Sequence, residues 1–228
     1  MYYFPIAIPF LIFLIFLFIT LLTLIEINIL VYAYQKIGIN RRYIFALLLL
    51  SLLGSYVNIP IYQLPPEEVS SGGLVSFFGV PYAIPFVTEW PGTVIAVNLG
   101  GAVIPMIISI YLLRKNRLFL QGLVASAIAA AIIHHLAYPV PGVGIAVPVL
   151  IPAVVALVIA LLFSWKHAPA LSYIVGTLGT LIGADLTNLD KIQGLGAPVA
   201  SIGGAGTFDG IFLTGILAVL LTSLMSNK

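Results

Sequence analysis

The chain has 228 residues, of which 61% are hydrophobic and only 7% are charged, and its mean hydropathy is +1.19. Soluble domains carry about 25% charged residues, so this composition excludes a soluble fold and predicts a single integral membrane domain over residues 1–228, multi-pass in the cell membrane with lipid around it. The lack of cysteine excludes disulfides and thiol chemistry, and a net charge of +2 on scattered basic residues excludes nucleic acid as a partner.

Seven apolar segments are predicted to cross the membrane as helices, since about 20 apolar residues span the hydrocarbon core. The predicted fold class is therefore all-α, a transmembrane helical bundle. The first segment has no basic start and no cleavage site, which is typical of a permanent helix and not of a signal peptide. The segments are residues 5–34, 43–60, 93–113, 118–137, 148–164, 169–188 and 207–224, and residues 75–87 are an open candidate for a re-entrant piece.

The basic residues predict the orientation, because cytoplasmic loops carry the excess of Lys and Arg. Eight of the nine basic residues fall on one side of the predicted spans, and only Lys191 falls on the other. The N-terminus is therefore predicted outside and the C-terminus in the cytoplasm. The Gly- and Pro-rich connections at residues 61–92, 138–147 and 189–206 then lie outside. They are predicted to be irregular or re-entrant and to roof a water-filled cavity, which can satisfy irregular backbone at membrane depth.

Two acids at the outer ends of neighbouring spans, Asp185 and Asp209, are the predicted catalytic residues. An ionisable group in a membrane is costly and therefore indicates function. Asp209 also has a structural explanation, since a helix start favours an acid. Asp185 ends a helix, where the dipole disfavours an anion, so it needs a proton, a cation or a hydrogen-bond donor. The predicted substrate- or ion-binding residues around the pair are Asn98, His134, His135, Asn188, Gly203, Gly204 and Gly206.

Three glycines, Gly176, Gly179 and Gly183, lie on one side of the sixth span and are typical of close helix packing. They are predicted to hold the sixth span against the seventh, which would bring Asp185 and Asp209 within reach of each other. Glu26 lies alone in the inner part of the first span. It either extends toward Lys36 and the interface or serves a proton relay with a partner that the sequence does not show.

Two carboxylates a few ångströms apart share one proton and can act as base and acid toward a water. The sequence GTFD at residues 206–209 resembles the Gly-x-Gly-Asp motif of intramembrane aspartyl proteases, the presenilin, signal-peptide-peptidase and prepilin-peptidase group. Phe208 replaces the second glycine, and Ala184 stands where presenilin-like proteins have tyrosine before the first acid. The resemblance implies a dyad of Asp185 and Asp209 that cleaves transmembrane peptides. A Pro-Ala-Leu sequence at residues 169–171 is similar to theirs but is predicted at the opposite membrane face.

A second resemblance covers residues 51–216. It rests on the sequences SLLGSYVNIPI, NLGGAVIP, PVPGVGIAVP, GTLGTLIGADL and APVASIGGAGTFDGIFLTGI, which begin at residues 51, 98, 139, 176 and 197. These are similar to a prokaryotic family of membrane proteins known only as a domain of unknown function. That resemblance implies a shared membrane fold and no particular activity.

An aspartyl protease or hydrolase is the first hypothesis, and two alternatives remain open, so enzyme activity is itself undecided. In the first alternative, an ion- or proton-coupled transporter or channel uses the same acids. NLGGA at residues 98–102 is echoed by SIGGA at 201–205, and glycine-interrupted helix starts are typical of transporter sites. In the second, His134 or His135 joins both acids around zinc in a hydrolase, but no HExxH motif is present. No metal site or cofactor is assigned. The predicted partners are lipid and a transmembrane peptide or small ion, with homo-oligomer formation left open.

Overall fold

The computed structural model describes residues 8–66, 73–77, 80–84, 91–142, 144–148, 150–204 and 210–226. In these ranges the α-helices are α1 Ile8–Lys36, α2 Arg41–Gly54, α3 Ile104–Lys115, α4 Phe119–Leu136, α5 Ile151–Phe163, α6 Ala168–Thr180 and α7 Gly210–Ser226. The strands are β1 Asn58–Gln63, β2 Gly73–Phe77, β3 Val80–Ile84, β4 Val94–Asn98, β5 Tyr138–Val140, β6 Gly144–Ala146 and β7 Val199–Ile202. A π-helical turn, Leu99–Val103, precedes α3; a second, Leu181–Asp185, and a 3₁₀ helix, Leu186–Lys191, extend α6.

The chain is mostly helical, as predicted, but an all-α fold is wrong because the interhelical connections contain short strands. In one sheet the central strand β4 pairs antiparallel with β1 and parallel with β7. Two further antiparallel pairs join β2 to β3 and β5 to β6. The connections predicted to be irregular therefore satisfy much of their backbone by strand pairing, as polar groups shielded from water require. The described part of residues 75–87 belongs to the β2–β3 pair.

Within the described residues, three helices are long and apolar enough to cross a membrane, namely Ile15–Lys36, Phe119–Leu136 and Ala168–Lys191. The helices α5 and α7 are apolar but shorter. The predicted second span is not one helix, because α2 ends at Gly54 and the chain continues as β1. The predicted third span begins as β4, whose sequence VIAVN is rich in the β-branched residues that favour strands.

The helix α6 lies at the centre of the bundle and packs against α7, α5 and α4. Small residues set the distance between α6 and α4. A Cβ on Gly183 would lie 2.4 Å from the carbonyl oxygen of Ala130, and one on Gly179 would lie 2.7 Å from the Cβ of Ala129. Backbone therefore meets backbone along this seam, which only small side chains permit.

The prediction that the three glycines hold the sixth span against the seventh is wrong for two of them. Gly179 and Gly183 face α4. Of the three glycines only Gly176 approaches α7, where an added Cβ would lie 3.3 Å from the carbonyl oxygen of Thr214. The close packing of α7 on α6 depends instead on Gly215, where an added Cβ would lie 2.7 Å from the hydroxyl oxygen of Thr177. The close contact with α4 continues to Gly183, which lies within the wider π-helical turn that ends at Asp185.

The two ends of the bundle differ in character. At one end the Lys115 ammonium group donates a hydrogen bond to the Gly38 carbonyl, which joins the α1–α2 connection to the end of α3. At the other end the long connections bond to one another. The Thr93 hydroxyl donates to the Ala197 carbonyl at 2.8 Å, and the Gly142 N–H donates to the Leu195 carbonyl at 2.6 Å. The three-stranded sheet and the end of α6 lie at this second end.

Candidate functional site

Asp185 is half-buried at the last position of the π-helical turn that follows α6. Its Oδ2 accepts a hydrogen bond from the backbone N–H of Gly203 at 2.7 Å. Gly203 directly follows β7 and has φ +88°, a left-handed conformation that favours glycine. The hydrogen-bond donor that the sequence requires for Asp185 is therefore a backbone amide 18 residues further along the chain. π-Helical turns inside helices frequently mark functional sites.

The segments that follow β4 and β7 touch each other through glycine. A Cβ on Gly101 would lie 1.9 Å from the Gly203 carbonyl oxygen, and a Cβ on Gly203 would lie 2.6 Å from the backbone nitrogen of Ala102. These are the two segments with the similar sequences NLGGA and SIGGA. In the parallel ladder Val97 lies opposite Ile202, so the spatial register differs by two residues from the sequence echo. The echo thus corresponds to two adjacent strand–glycine units in parallel.

Asn98 is fully buried at the end of β4, and hydrogen bonds satisfy both ends of its amide. Its Nδ2 donates to the Ser55 carbonyl at 2.7 Å and to the Asn58 Oδ1 at 3.0 Å, while its Oδ1 accepts from the Gly101 N–H at 2.7 Å. Ser201 of β7 also donates to the Asn58 Oδ1, at 2.5 Å. Asn98 therefore caps the π-helical turn and ties α2, β1 and β4 together.

Asn188 is also fully buried and satisfies the backbone that the π-helical turn exposes. Its Nδ2 donates to the carbonyls of Gly183 and Ala184, both at 2.9 Å. Its Oδ1 accepts from the Lys191 ammonium group at 2.6 Å. Because a π-helical turn disrupts the regular i→i−4 pattern, these bonds hold the end of α6 in the shape that presents Asp185.

His134 reaches the same segment from α4. Its Nδ1 lies 2.8 Å from the hydroxyl oxygen of Thr187, and that hydroxyl donates to the Gly183 carbonyl at 2.9 Å. If the hydroxyl proton is directed to Gly183, the His134 Nδ1 is the donor in the first bond, because the hydroxyl oxygen can then only accept from it. His135 is exposed, with its ring centre 5.6 Å from that of His134.

Sequence reasoning did not assign four residues that complete this network: Ser55, Asn58, Thr187 and Ser201. Asn58 lies near the end of the second predicted span, residues 43–60. The other three act through one carbonyl and two hydroxyl groups. A signal did exist for Asn58, since an amide beside Pro60 in an apolar stretch marks a break in the helix.

One family pattern, described as "Protein of unknown function (DUF1614)", matches residues 52–221. The chain belongs to the DUF1614 family. The resemblance drawn from residues 51–216 is thereby confirmed. The DUF1614 match contains every candidate site residue, and it begins after α1. No curated protein and no solved structure matches the chain.

Asp209 and Gly206 of this DUF1614 protein lie outside the described residues, so the pairing of Asp209 with Asp185 stays a prediction. The chain is described up to Gly204, whose N–H donates to the Ser201 carbonyl at 2.9 Å in a tight turn. Within the described ranges no three His, Asp or Glu side chains are grouped closely enough to hold a metal ion. The predicted zinc ligands include Asp209, so that hypothesis also stays a prediction.

Proposed function

We propose that this DUF1614 protein is a multi-pass protein of the cell membrane, with an outside N-terminus and a cytoplasmic C-terminus. Three helices of sufficient length support the membrane location, and α5 and α7 pack alongside α6, which begins the most buried of the three, Ala168–Lys191. The bundle end where Lys115 bonds to Gly38 carries basic residues, which favours the cytoplasmic side. Asp185 then lies toward the outer face. In this proposal the protein crosses the membrane seven times. The second crossing consists of α2 followed by β1, and the third consists of β4 followed by α3.

We further propose that Asp185 binds a cation or a proton in an ion- or proton-coupled transporter or channel. The observation that carries this proposal is the bond from the Gly203 N–H to the Asp185 carboxylate. It places an acid of the longest buried helix against the contact of two parallel strand–glycine segments. Secondary transporters build their ion sites from such interrupted helices, with unwound backbone and helix ends around the ion. A carboxylate has about four acceptor positions, so the bond from the Gly203 N–H does not by itself prevent cation binding.

The variant Asp185→Asn is expected to abolish ion- or pH-gradient-driven flux in proteoliposomes, with a loss of at least about tenfold. Asparagine has nearly the same shape and keeps an oxygen that can accept from the Gly203 N–H, so the fold should be retained. Asp185→Leu removes that acceptor and should also lower the unfolding temperature. The matched control is Asp190→Asn, an exposed acid on the 3₁₀ helix, which should transport normally. Unchanged flux in Asp185→Asn, at equal protein incorporation, would contradict the proposal.

An intramembrane aspartyl protease is the second candidate. The observation that favours it is again the contact at Gly203, because it brings to Asp185 a segment that reaches Asp209 six residues later. A shared proton requires the two carboxylates to lie within about 5 Å of each other. In this mechanism one carboxylate takes a proton from water while the other donates a proton to the peptide, so both acids are indispensable.

Disulfide trapping tests the dyad directly, because the chain contains no cysteine of its own. The double variant Asp185→Cys/Asp209→Cys should form an intramolecular disulfide under mild oxidation, since a bridge requires Cα atoms about 4.4–6.8 Å apart. The control Asp190→Cys/Asp209→Cys should form it poorly. Loss of cleavage of a transmembrane peptide in both Asp185→Asn and Asp209→Asn would support catalysis. Retained cleavage in either Asp185→Asn or Asp209→Asn would rule the dyad out, because both acids are indispensable in this mechanism.

A further inference from the structure

Most of α1 lies outside the bundle. Its membrane-length part, Ile15–Lys36, is apolar, yet none of its most hydrophobic 18-residue window is buried against the described residues. Burial begins only near the cytoplasmic end, at Ala33, Tyr34 and Ile37, where α1 meets α2 and α7. Residues 15–29 of this helix are all exposed in the part of the chain that the structure describes.

The uncovered part of α1 carries a polar stripe formed by Thr20, Thr23 and Glu26. At about 100° per residue, these three side chains lie on the helix face that continues into Leu30 and Ala33. That face is the one buried against the bundle at the cytoplasmic end. The stripe is thus the continuation of an existing helix–helix interface, and it extends beyond the point where the bundle covers it.

Glu26 is the residue of the stripe that most requires a partner. The hydroxyls of Thr20 and Thr23 donate to the carbonyls of Phe16 and Ile19 in their own helix, at 2.8 and 2.9 Å. Glu26 is exposed and makes no hydrogen bond or ion pair with any described residue. It lies ten residues before Lys36, about 15 Å along the helix. An acid at that depth normally faces other protein groups and pairs with them, because lipid offers no hydrogen-bond partner.

We propose that the Thr20–Thr23–Glu26 stripe docks on the same stripe of a second copy of this chain. The proposal rests on the membrane-spanning part of the proposed function and not on transport or proteolysis. Two copies inserted with the same orientation place identical residues at identical depth, so a parallel α1 pair brings Glu26 to Glu26 across a two-fold axis. Two carboxyl groups that share one proton provide both the donor and the acceptor, so the stripe is self-complementary. The small threonine side chains allow the close approach that membrane helices require.

Single-cysteine variants in native membranes test this pairing, again without background from other cysteines. Thr23→Cys lies on the stripe, whereas Asn28→Cys lies about 140° away on the opposite face. Oxidation should give a disulfide-linked dimer of twice the chain mass from Thr23→Cys, at least fivefold more than from Asn28→Cys. Adding Glu26→Leu to Thr23→Cys should lower that yield at least threefold. Adding Glu26→Gln should preserve it, since glutamine both donates and accepts.

The other occupants of the stripe give different results, each of which would overturn the proposal. Lipid alone would leave Thr23→Cys monomeric. A different protein would give an adduct whose mass is not that of two chains. A Glu26 that only extends toward the interface would make the cross-link insensitive to Glu26→Leu. Because Asp185 lies far along the chain in the family region, Asp185→Asn should not change the cross-link, so failure of the transport proposal would remain distinguishable.

Discussion

The substitution Asn98→Leu is expected to destabilise the protein by about 3 kcal/mol or more. Leucine has a similar volume but leaves the Ser55 carbonyl and the Gly101 N–H buried without the partners that Asn98 provides. Each buried polar group without a partner costs about 1–3 kcal/mol, and the loss here includes the cap of the π-helical turn. Thermal and denaturant unfolding of the detergent-solubilised protein measure the effect.

The matched control is Asn116→Leu. The Nδ2 of Asn116 donates to the Leu112 carbonyl at 3.0 Å, one turn earlier in its own helix, and the side chain is only partly buried. Asn116→Leu removes a local hydrogen bond worth about 1 kcal/mol, and this bond does not link one helix or strand to another. Equal unfolding temperatures for the two variants would mean that Asn98 does not hold α2, β1 and β4 together.

The second large effect is expected for Gly101→Ala, which should destabilise the protein by about 2–3 kcal/mol or prevent it from folding. The new Cβ would lie 1.9 Å from the Gly203 carbonyl oxygen, which belongs to the backbone and cannot rotate away. Relief requires the segments after β4 and β7 to separate, and overpacking of this kind costs about 1–3 kcal/mol or more. The separation should also move the Gly203 N–H from Asp185 and reduce flux. Unfolding temperature and transport are the measurements.

Two other glycines provide graded controls. Gly210, the first residue of α7, has no atom of the described residues within 4 Å of an added Cβ, so Gly210→Ala should be neutral or stabilising by up to about 1 kcal/mol. A Cβ on Gly122 would lie 2.3 Å from Leu113, but from the end of a flexible side chain, so Gly122→Ala should have an intermediate effect. If Gly101→Ala unfolded at the temperature of Gly210→Ala, the backbone contact with Gly203 would not be tight in solution.

Composition and hydropathy predicted a membrane protein, and five of the seven predicted helices lie close to their observed positions, because lipid solvation leaves a strong signal in a single sequence. Hydropathy also predicted that the fourth span ends shortly after His135 and that the sixth span extends to Asp185, as the structure has them. The strands β4 and β7 were missed for a physical reason. A short apolar run of four or five residues has the same hydropathy as a helix, and periodicity cannot separate the two.

The site was predicted less completely than the fold. Asp185 and Asn188 were selected by the cost of polar groups at membrane depth, and that cost does not depend on the tertiary structure. Gly203 was predicted as a binding residue, but its role as the donor to Asp185 could not be, because every residue except proline has an N–H and only the fold decides which one reaches Asp185. For the same reason Asn98 looked like a ligand in the sequence, whereas its amide is occupied by capping and by the link to Ser55.

The close packing of α4 on α6 limits how far Asp185 can move. Because Gly179 and Gly183 leave no room for a Cβ beside Ala129 and Ala130, we expect α4 and α6 to move little relative to each other. The carboxylate is therefore fixed relative to His134, and we expect the end of α6 to be a stationary wall.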